Sequence, residues 1–280
     1  MSTTTETQIR SISVHGRKIK VAVRPGRPTS RFPLLLLNGI GASLELLEPF
    51  VSEVDPAIEV IRFDPPGVGG SPLPPGPYRF GGLCRLVAEL LTELGHPVAD
   101  VLGISWGGAV AQHFAAFHRG RCRRLVLVAT ATGAVMVPAK PSVLAHMVTP
   151  RRYLDHGYLE KVAGHLYGGS AREDPARVAA AMYHGNRVGS PLGYFYQLAA
   201  GAGWTSLPFL PALRLPTLII AGRDDPLIPL ANARLMHRLI PGSRLHLHPG
   251  GHLGLVTEAA ELAPVVAEFL NKGETHASAG

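Results

Sequence analysis

Val101-Leu102-Gly103-Ile104-Ser105-Trp106-Gly107-Gly108 is the stretch on which the fold turns. An apolar run over residues 98–102 leads into G-x-S-x-G, and a helical pattern over Trp106–Phe117 leads out of it. A bare G-x-S-x-G arises readily by chance in a glycine-rich chain, so the flanking elements carry the reading. Strand, tight turn and helix are the context in which a serine can sit on a strained corner with its hydroxyl exposed, while glycines remove side chains that would strike the neighbouring strand and helix. Ser105 is therefore the candidate nucleophile.

Outward from this stretch, further apolar runs lie at Leu34–Leu37, 58–63, 125–129, 217–221 and 245–247. Continuous β-rich apolar runs fit strands of a parallel sheet covered on both faces. Helical patterns at 80–94, Leu230–Leu239 and 259–270 fall between or after them. Near the N-terminus, Gln8–Val14 and 18–23 alternate in polarity around His15-Gly16-Arg17, as a β-hairpin does. The sum is an α/β chain with a mostly parallel, doubly wound central sheet flanked by helices. From about Gly133 to Pro211 the alternation stops, and helical stretches such as 175–183 stand between prolines. The division expected is a core of residues 1–133 and 212–280, with 134–211 a helical insertion packed over the sheet.

Composition agrees with a packed chain. The 32 glycines and 25 prolines make up about a fifth of the 280 residues, yet 46% of the chain is hydrophobic and only 17% charged, the reverse of a disordered segment. Glycine and proline must then act as punctuation between elements. The apolar runs are too short or too broken to span a bilayer. Met1 to Gln8 is polar and carries Glu6, so no export signal is expected. Cys84 and Cys122 have no metal-ligand spacing and are too few for a disulfide framework; buried thiols in a reducing compartment are expected.

The balance of 27 basic against 20 acidic residues gives +7, concentrated at Arg10, Arg17, Lys18, Lys20, Arg24, Arg27 and Arg31 and again at Arg119, Arg121, Arg123 and Arg124. No helix-turn-helix, RNP or zinc-finger pattern accompanies it, so nucleic acid is not expected as a partner and a solvated basic face is.

A serine hydroxyl needs an adjacent base, and the base an orienting acid. In chain order after Ser105, His252 in Pro249-Gly250-Gly251-His252 follows the last strand, where a loop can carry an imidazole over the carboxyl edge of the sheet. His246 and His248 alternate with leucines inside a strand and read as packed or surface residues. The acid must come from a loop on the same edge, and Gly222-Arg223-Asp224-Asp225-Pro226 follows an apolar strand with two carboxylates. Asp225 is favoured by the spacing Gly-x-x-Asp-x-x-x-Pro, with Asp224 as the alternative. Backbone N–H groups for a developing oxyanion are expected from Trp106, after the nucleophile, and from Ile40 in Asn38-Gly39-Ile40-Gly41. Asp64-Pro65-Pro66-Gly67-Val68-Gly69-Gly70-Ser71 lacks the Lys-Ser/Thr of a phosphate loop and runs into Pro72, so it reads as a structural turn.

Together, Asn38 to Ala42, Phe63 to Ser71, Gly103 to Gly108, Gly133 to Pro138, Pro150-Arg151-Arg152-Tyr153, Gly203 to Ser206 and Gly222 to Leu230 resemble the intracellular medium-chain-length polyhydroxyalkanoate depolymerases of the α/β-hydrolase superfamily. The resemblance runs from about Ile9 to Leu270. It implies the α/β-hydrolase fold with a helical lid, a Ser105–Asp225–His252 triad, and hydrolysis of stored poly(3-hydroxyalkanoate) esters without metal or organic cofactor. Asn38 stands where most of the superfamily has His, and the depolymerases share it. The resemblance further implies a cytoplasmic protein working at polyester granules. Met136, Leu144, Met147, Tyr153, Tyr167, Tyr194, Phe195, Tyr196 and Trp204 of the insertion either line an apolar channel or pack it on the core. Two alternatives stay open: an esterase, lactonase or C–C bond hydrolase of soluble substrates, and a non-catalytic ligand-binding protein.

Overall fold

The protein is described from a computed structural model, which covers residues 6–27, 32–187 and 189–272. Residues 1–5 of the polar N-terminus, and Arg31 of the basic cluster, lie outside the described residues.

Among these residues one eight-stranded sheet runs in the order β1-β2-β4-β3-β5-β6-β7-β8. The strands are β1 (Gln8–Val14), β2 (Arg17–Arg24), β3 (Leu34–Leu37), β4 (Val60–Phe63), β5 (Ala99–Ile104), β6 (Cys122–Val128), β7 (Thr217–Gly222) and β8 (Arg244–His248). β1 and β2 form the expected hairpin around a two-residue turn, His15 and Gly16, both at positive φ, so Arg17 belongs to the strand and pairs with Val14. β2 meets β4 antiparallel, and from β4 to β8 every pairing is parallel. The strand expected at 58–63 begins only at Val60: the Ile58 carbonyl turns to Arg24 at 2.8 Å, and that of Ala57 accepts the Arg27 N–H at 3.0 Å. The strand expected at 125–129 starts earlier, at Cys122, and stops at Val128, where Ala129 takes a φ of 46°.

Period-two geometry explains why the runs are apolar throughout. Leu35 and Leu37, Val101, Leu125 and Leu127 face one core, against α2 (Phe80–Glu93), α3 (Trp106–Phe117) and α10 (Leu230–Leu239). Leu34 and Leu36, Leu102, Val126 and Val128 face the other, against α1 (Glu48–Glu53), α11 (Gly254–Thr257) and α12 (Ala259–Asn271). Each fully buried leucine contributes about 2 kcal/mol on this face or that. Cys84 and Cys122 are free and buried. Among the described residues no helix is long and apolar enough to cross a membrane.

Between β6 and β7 the chain forms the helices α4 (Pro141–Leu144), α5 (Arg151–Leu154), α6 (His156–Tyr167), α7 (Ser170–Glu173), α8 (Pro175–His184) and α9 (Pro191–Gly201). Asp155 and Asp174 cap α6 and α8 by accepting the N–H of Tyr158 and Arg177. These helices share a third apolar cluster with Ile40, Ala42, Leu46 and Leu227, residues of loops at the carboxyl edge of the sheet.

The basic residues divide. Arg10, Arg17, Lys18, Arg27 and Arg119 are exposed, but Arg24, Arg121, Arg123 and Arg124 are not the solvated face expected for them. Arg24 donates to the carbonyls of Val51, Val54, Asp55 and Ile58; Arg123 pairs with Asp100 at 2.5 Å. A guanidinium carries five fixed donors, so a single side chain can gather several carbonyls left open at helix ends and turns.

Candidate active site

Ser105 sits between β5 and α3 with φ 52° and ψ −117°, a conformation an L residue holds only when its surroundings impose it. They do. Its N–H donates to Val128 O at 2.9 Å, and its carbonyl accepts from Gly108 N–H at 3.0 Å and from the Thr130 hydroxyl at 2.7 Å. The glycines of the motif mark where backbones press together: a Cβ on Gly103 would stand 2.3 Å from Gly107 O, and one on Gly107 would stand 2.1 Å from Leu37 O.

The turn after β7 separates its two carboxylates. Asp225 Oδ1 accepts the N–H groups of Leu227 and Ile228 at 2.9 and 2.8 Å, and Oδ2 lies 2.8 Å from His252 Nδ1. Asp224 points outward and accepts from Arg172 Nε and Gly169 N–H, both at 2.7 Å; the Arg172 bond holds its carboxyl below the usual range. Asp225, not Asp224, is brought to His252. The His252 N–H donates to Tyr167 O at 2.8 Å, and its ring stacks on the Tyr167 ring with centroids 6.2 Å apart. With Nδ1 bonded to the carboxylate, Nε2 is the ring nitrogen left for chemistry. Ser105 and His252 border one cavity, and among the described residues no hydrogen bond joins them.

The Asn38-Gly39-Ile40-Gly41 loop faces the same cavity. Asn38 spans its base, accepting from Gly39 N–H at 2.9 Å and donating to Ser43 O at 2.6 Å. One peptide unit, Ile40–Gly41, is gripped at both ends by the inserted helices. Its carbonyl accepts from Tyr153 OH at 2.8 Å and Arg152 Nη2 at 3.4 Å, and its N–H donates to Gln197 Oε1 at 2.7 Å. Asn186 Oδ1 takes the Ser43 N–H at 2.6 Å. The carbonyl of Gln197 also accepts the indole N–H of Trp106 at 2.9 Å, so a single residue of α9 touches both sides of Ser105. The Ile40 N–H makes no backbone hydrogen bond among the described residues, and the Trp106 N–H, first in its helix, has no intrahelical acceptor. Sequence reasoning missed Gln197, Asn186 and this use of Tyr153: their partners lie 113 to 156 positions away along the chain, and no local pattern marks them.

Ser105 also borders a second cavity, with Met136, Gln197 and Trp204 on its walls. Met147, Tyr153 and Tyr167 line the first, whereas Leu144 and Phe195 are exposed. Asp64 lies outside both cavities. It is buried and accepts the N–H groups of Leu44 and Gly70, each at 2.7 Å, and burial pushes its carboxyl up to about 6. This loop is the structural turn expected. His248 bonds Glu258 at 2.5 Å and His113 accepts from Trp204 Nε1 at 3.2 Å, so both imidazoles are engaged away from Ser105.

Residues 33–259 match the family model of the alpha/beta hydrolase fold. A poly(3-hydroxyalkanoate) depolymerase of Ectopseudomonas oleovorans is 49% identical over 265 residues, covering 94% of this chain and 92% of that protein. 3-oxoadipate enol-lactonase 2 of Acinetobacter baylyi is 27% identical and covers 80% of this chain and 83% of its own length. Among solved structures, the enol-lactonase from Burkholderia xenovorans LB400 superposes with a TM-score of 0.80 at 24% identity, over 94% of this chain and 100% of that one.

Proposed function

The chain belongs to the α/β hydrolase family, and within it to that of the poly(3-hydroxyalkanoate) depolymerase it matches; from that premise we propose that it is a serine hydrolase of poly(3-hydroxyalkanoate) with medium-length side chains. The observation that carries this reading is the strained Ser105 turn sharing a cavity with the 2.8 Å His252–Asp225 pair.

In this mechanism His252 Nε2 takes the proton of Ser105 as Oγ attacks the ester carbonyl. Asp225 holds the Nδ1–H tautomer and stabilises the imidazolium that forms. The oxyanion rests on the N–H groups of Ile40 and Trp106, each worth roughly a hundredfold in rate. His252 then hands its proton to the departing alcohol, and water activated by the same imidazole hydrolyses the 3-hydroxyacyl-enzyme. No step calls for a metal or organic cofactor.

Residues 134–211 act as a lid over the carboxyl edge of the sheet, and the protein works in the cytoplasm on the surface of its polyester. A polyester has chain on both sides of the bond to be cut. Support comes from the two apolar cavities that meet at Ser105, because a small ester needs only one of them.

The test is hydrolysis of polymer granules with product analysis, run beside p-nitrophenyl octanoate and covalent labelling by a fluorophosphonate. Release of 3-hydroxy acids, with granule hydrolysis lost in Ser105→Ala by roughly 10⁴-fold or more, is expected. Turnover of the soluble ester alone identifies a small-molecule hydrolase instead. Absence of labelling at Ser105 identifies a non-catalytic binding protein.

A further inference from the structure

The cavity that Ser105 shares with His252 is walled by Leu46, Leu47, Met182, Leu227, Leu255 and Val256, and one charged side chain borders it besides the imidazole, that of Arg152. Arg152 is 1% exposed. Its Nη1 donates to Tyr194 OH at 2.8 Å and reaches Thr149 O at 3.5 Å, Nη2 reaches Ile40 O at 3.4 Å, and Nε has no partner. The rings of Tyr153 and Tyr194 flank it, with centroids 4.5 and 5.2 Å from Cζ. No Asp or Glu forms an ion pair with it among the described residues.

Taking a charge out of water without a counter-ion is costly, by several kcal/mol even after relaxation. What meets the charge here is the Tyr194 hydroxyl, the tyrosine faces and two long carbonyl contacts, with no carboxylate among them. Elsewhere Arg123 pairs with Asp100 and Arg62 with Glu48. Arg24 and Arg121 meet backbone carbonyls instead, but neither borders a cavity at Ser105, whereas Arg152 stands at the cavity of the candidate nucleophile.

We propose that Arg152 binds the terminal carboxylate of the polyester chain, so that the enzyme cuts from the acid end. The proposal deepens the depolymerase reading above and rests on it. A neutral ester interior offers nothing to balance a guanidinium; a chain end with a free acid does, and does so through paired N–H donors. The two cavities suit such an orientation. The Arg152 cavity is the more enclosed, and the one bordered by Trp204 opens more widely to solvent. In this orientation the terminal 3-hydroxy acid takes the enclosed side, its alkyl chain against the leucines and methionines and its carboxylate at Arg152. The rest of the polymer leaves through the open side.

When Ser105 Oγ bonds to the carbonyl carbon, the ester C–O bond breaks, and the departing 3-oxygen receives the proton held by His252. The terminal hydroxy acid is released with its carboxylate unchanged. The shortened polymer stays as the acyl group on Ser105 until water hydrolyses it, and a new carboxylate end results.

The experiment compares two 3-hydroxyoctanoate trimers with the intact protein, one with a free carboxylate and one with that carboxylate as a methyl ester, the acid-end unit carrying an isotopic label. The expected result is a kcat/KM at least about tenfold higher for the free acid, the scale of one charge-assisted hydrogen bond, with the labelled monomer released first. Arg152→Met brings the ratio toward one and Arg152→Lys keeps part of it. Equal hydrolysis of both trimers by the unaltered protein, or first release from the hydroxyl end, overturns the proposal while leaving the depolymerase reading intact. Failure to cleave either trimer, with p-nitrophenyl octanoate still turned over, overturns both.

Discussion

The Ser105 turn and the loops that face it are held by different parts of the chain. Ser105 takes its backbone bonds from β6 and Thr130, and its glycines press on β5 and β3. The loops facing it lean on the inserted helices: Ile40–Gly41 on Tyr153 and Gln197, Ser43 on Asn186, His252 on Tyr167, Asp224 on Gly169 and Arg172. The proposed nucleophile is thus anchored to the rigid sheet, which fixes a strained conformation that a loop alone does not hold. The groups proposed to act on it are adjusted from outside the sheet. Changes in the inserted helices are therefore expected to alter the oxyanion site and the histidine loop while leaving the serine where it is.

The largest expected effect breaks the proposed catalytic contact whose carboxylate is fixed without the insertion. Asp225 is fixed within its own turn by Leu227 and Ile228 N–H, so Asp225→Asn keeps its place but presents an amide to His252 Nδ1. The imidazole then favours the wrong tautomer, and kcat on p-nitrophenyl octanoate falls by roughly 10⁴-fold. A loss below tenfold assigns the orienting role to some other group.

Next in size is Gln197→Ala, which tests whether the insertion sets the oxyanion site. It removes the acceptor of a buried peptide N–H at the Ile40–Gly41 unit, although the carbonyl that holds the Trp106 indole remains. A fall in kcat of about 10- to 100-fold is expected, within the effect of losing one oxyanion donor. KM should change little, and affinity for a boronic acid that mimics the tetrahedral adduct should fall in step with kcat/KM. A purely structural role lowers thermal stability without that parallel. Tyr153→Phe removes one of two donors to the Ile40 carbonyl and should follow the same pattern at about a tenth of the size.

How much was legible in the sequence follows the same division. Ser105, Asp225 and His252 stand in turns after apolar strands, so punctuation and chain order single them out as candidates, and the structure brings Asp225 to His252 and His252 to the cavity of Ser105. The choice between Asp224 and Asp225 rested on spacing, and the geometry separates them because Asp224 belongs to the insertion through Arg172. Gln197 and Asn186 carry no local mark, since a polar residue in or beside a short helix has no period to interrupt. Helices of four residues such as α4 and α7 are too short to show a face at all. Arg24 and Arg123 look like surface charge in the sequence because composition counts a cation without saying which carbonyls or carboxylate it meets. Arg152 was visible only as part of a resemblance, and its burial beside a catalytic cavity is a property of the packed helices.

The smallest effect expected is that of Asp224→Asn, one residue from the site. The Asp224–Arg172 pair is partly exposed, at 44% and 49%, and such pairs contribute about 0.5 kcal/mol in water, less in salt. The Asn carbonyl can still accept the Gly169 N–H, which is the contact that joins this turn to the end of α6. Thermal stability should fall by about a degree or two, and kcat/KM on the octanoyl ester by less than about threefold. Set beside the loss in Asp225→Asn, this near-silence separates the carboxylate that orients the imidazole from the one that only ties the turn to the inserted helices. A loss of more than tenfold in Asp224→Asn, with the stability unchanged, means that docking of the insertion at Gly169 itself positions His252, whose N–H is held by the adjoining Tyr167 carbonyl.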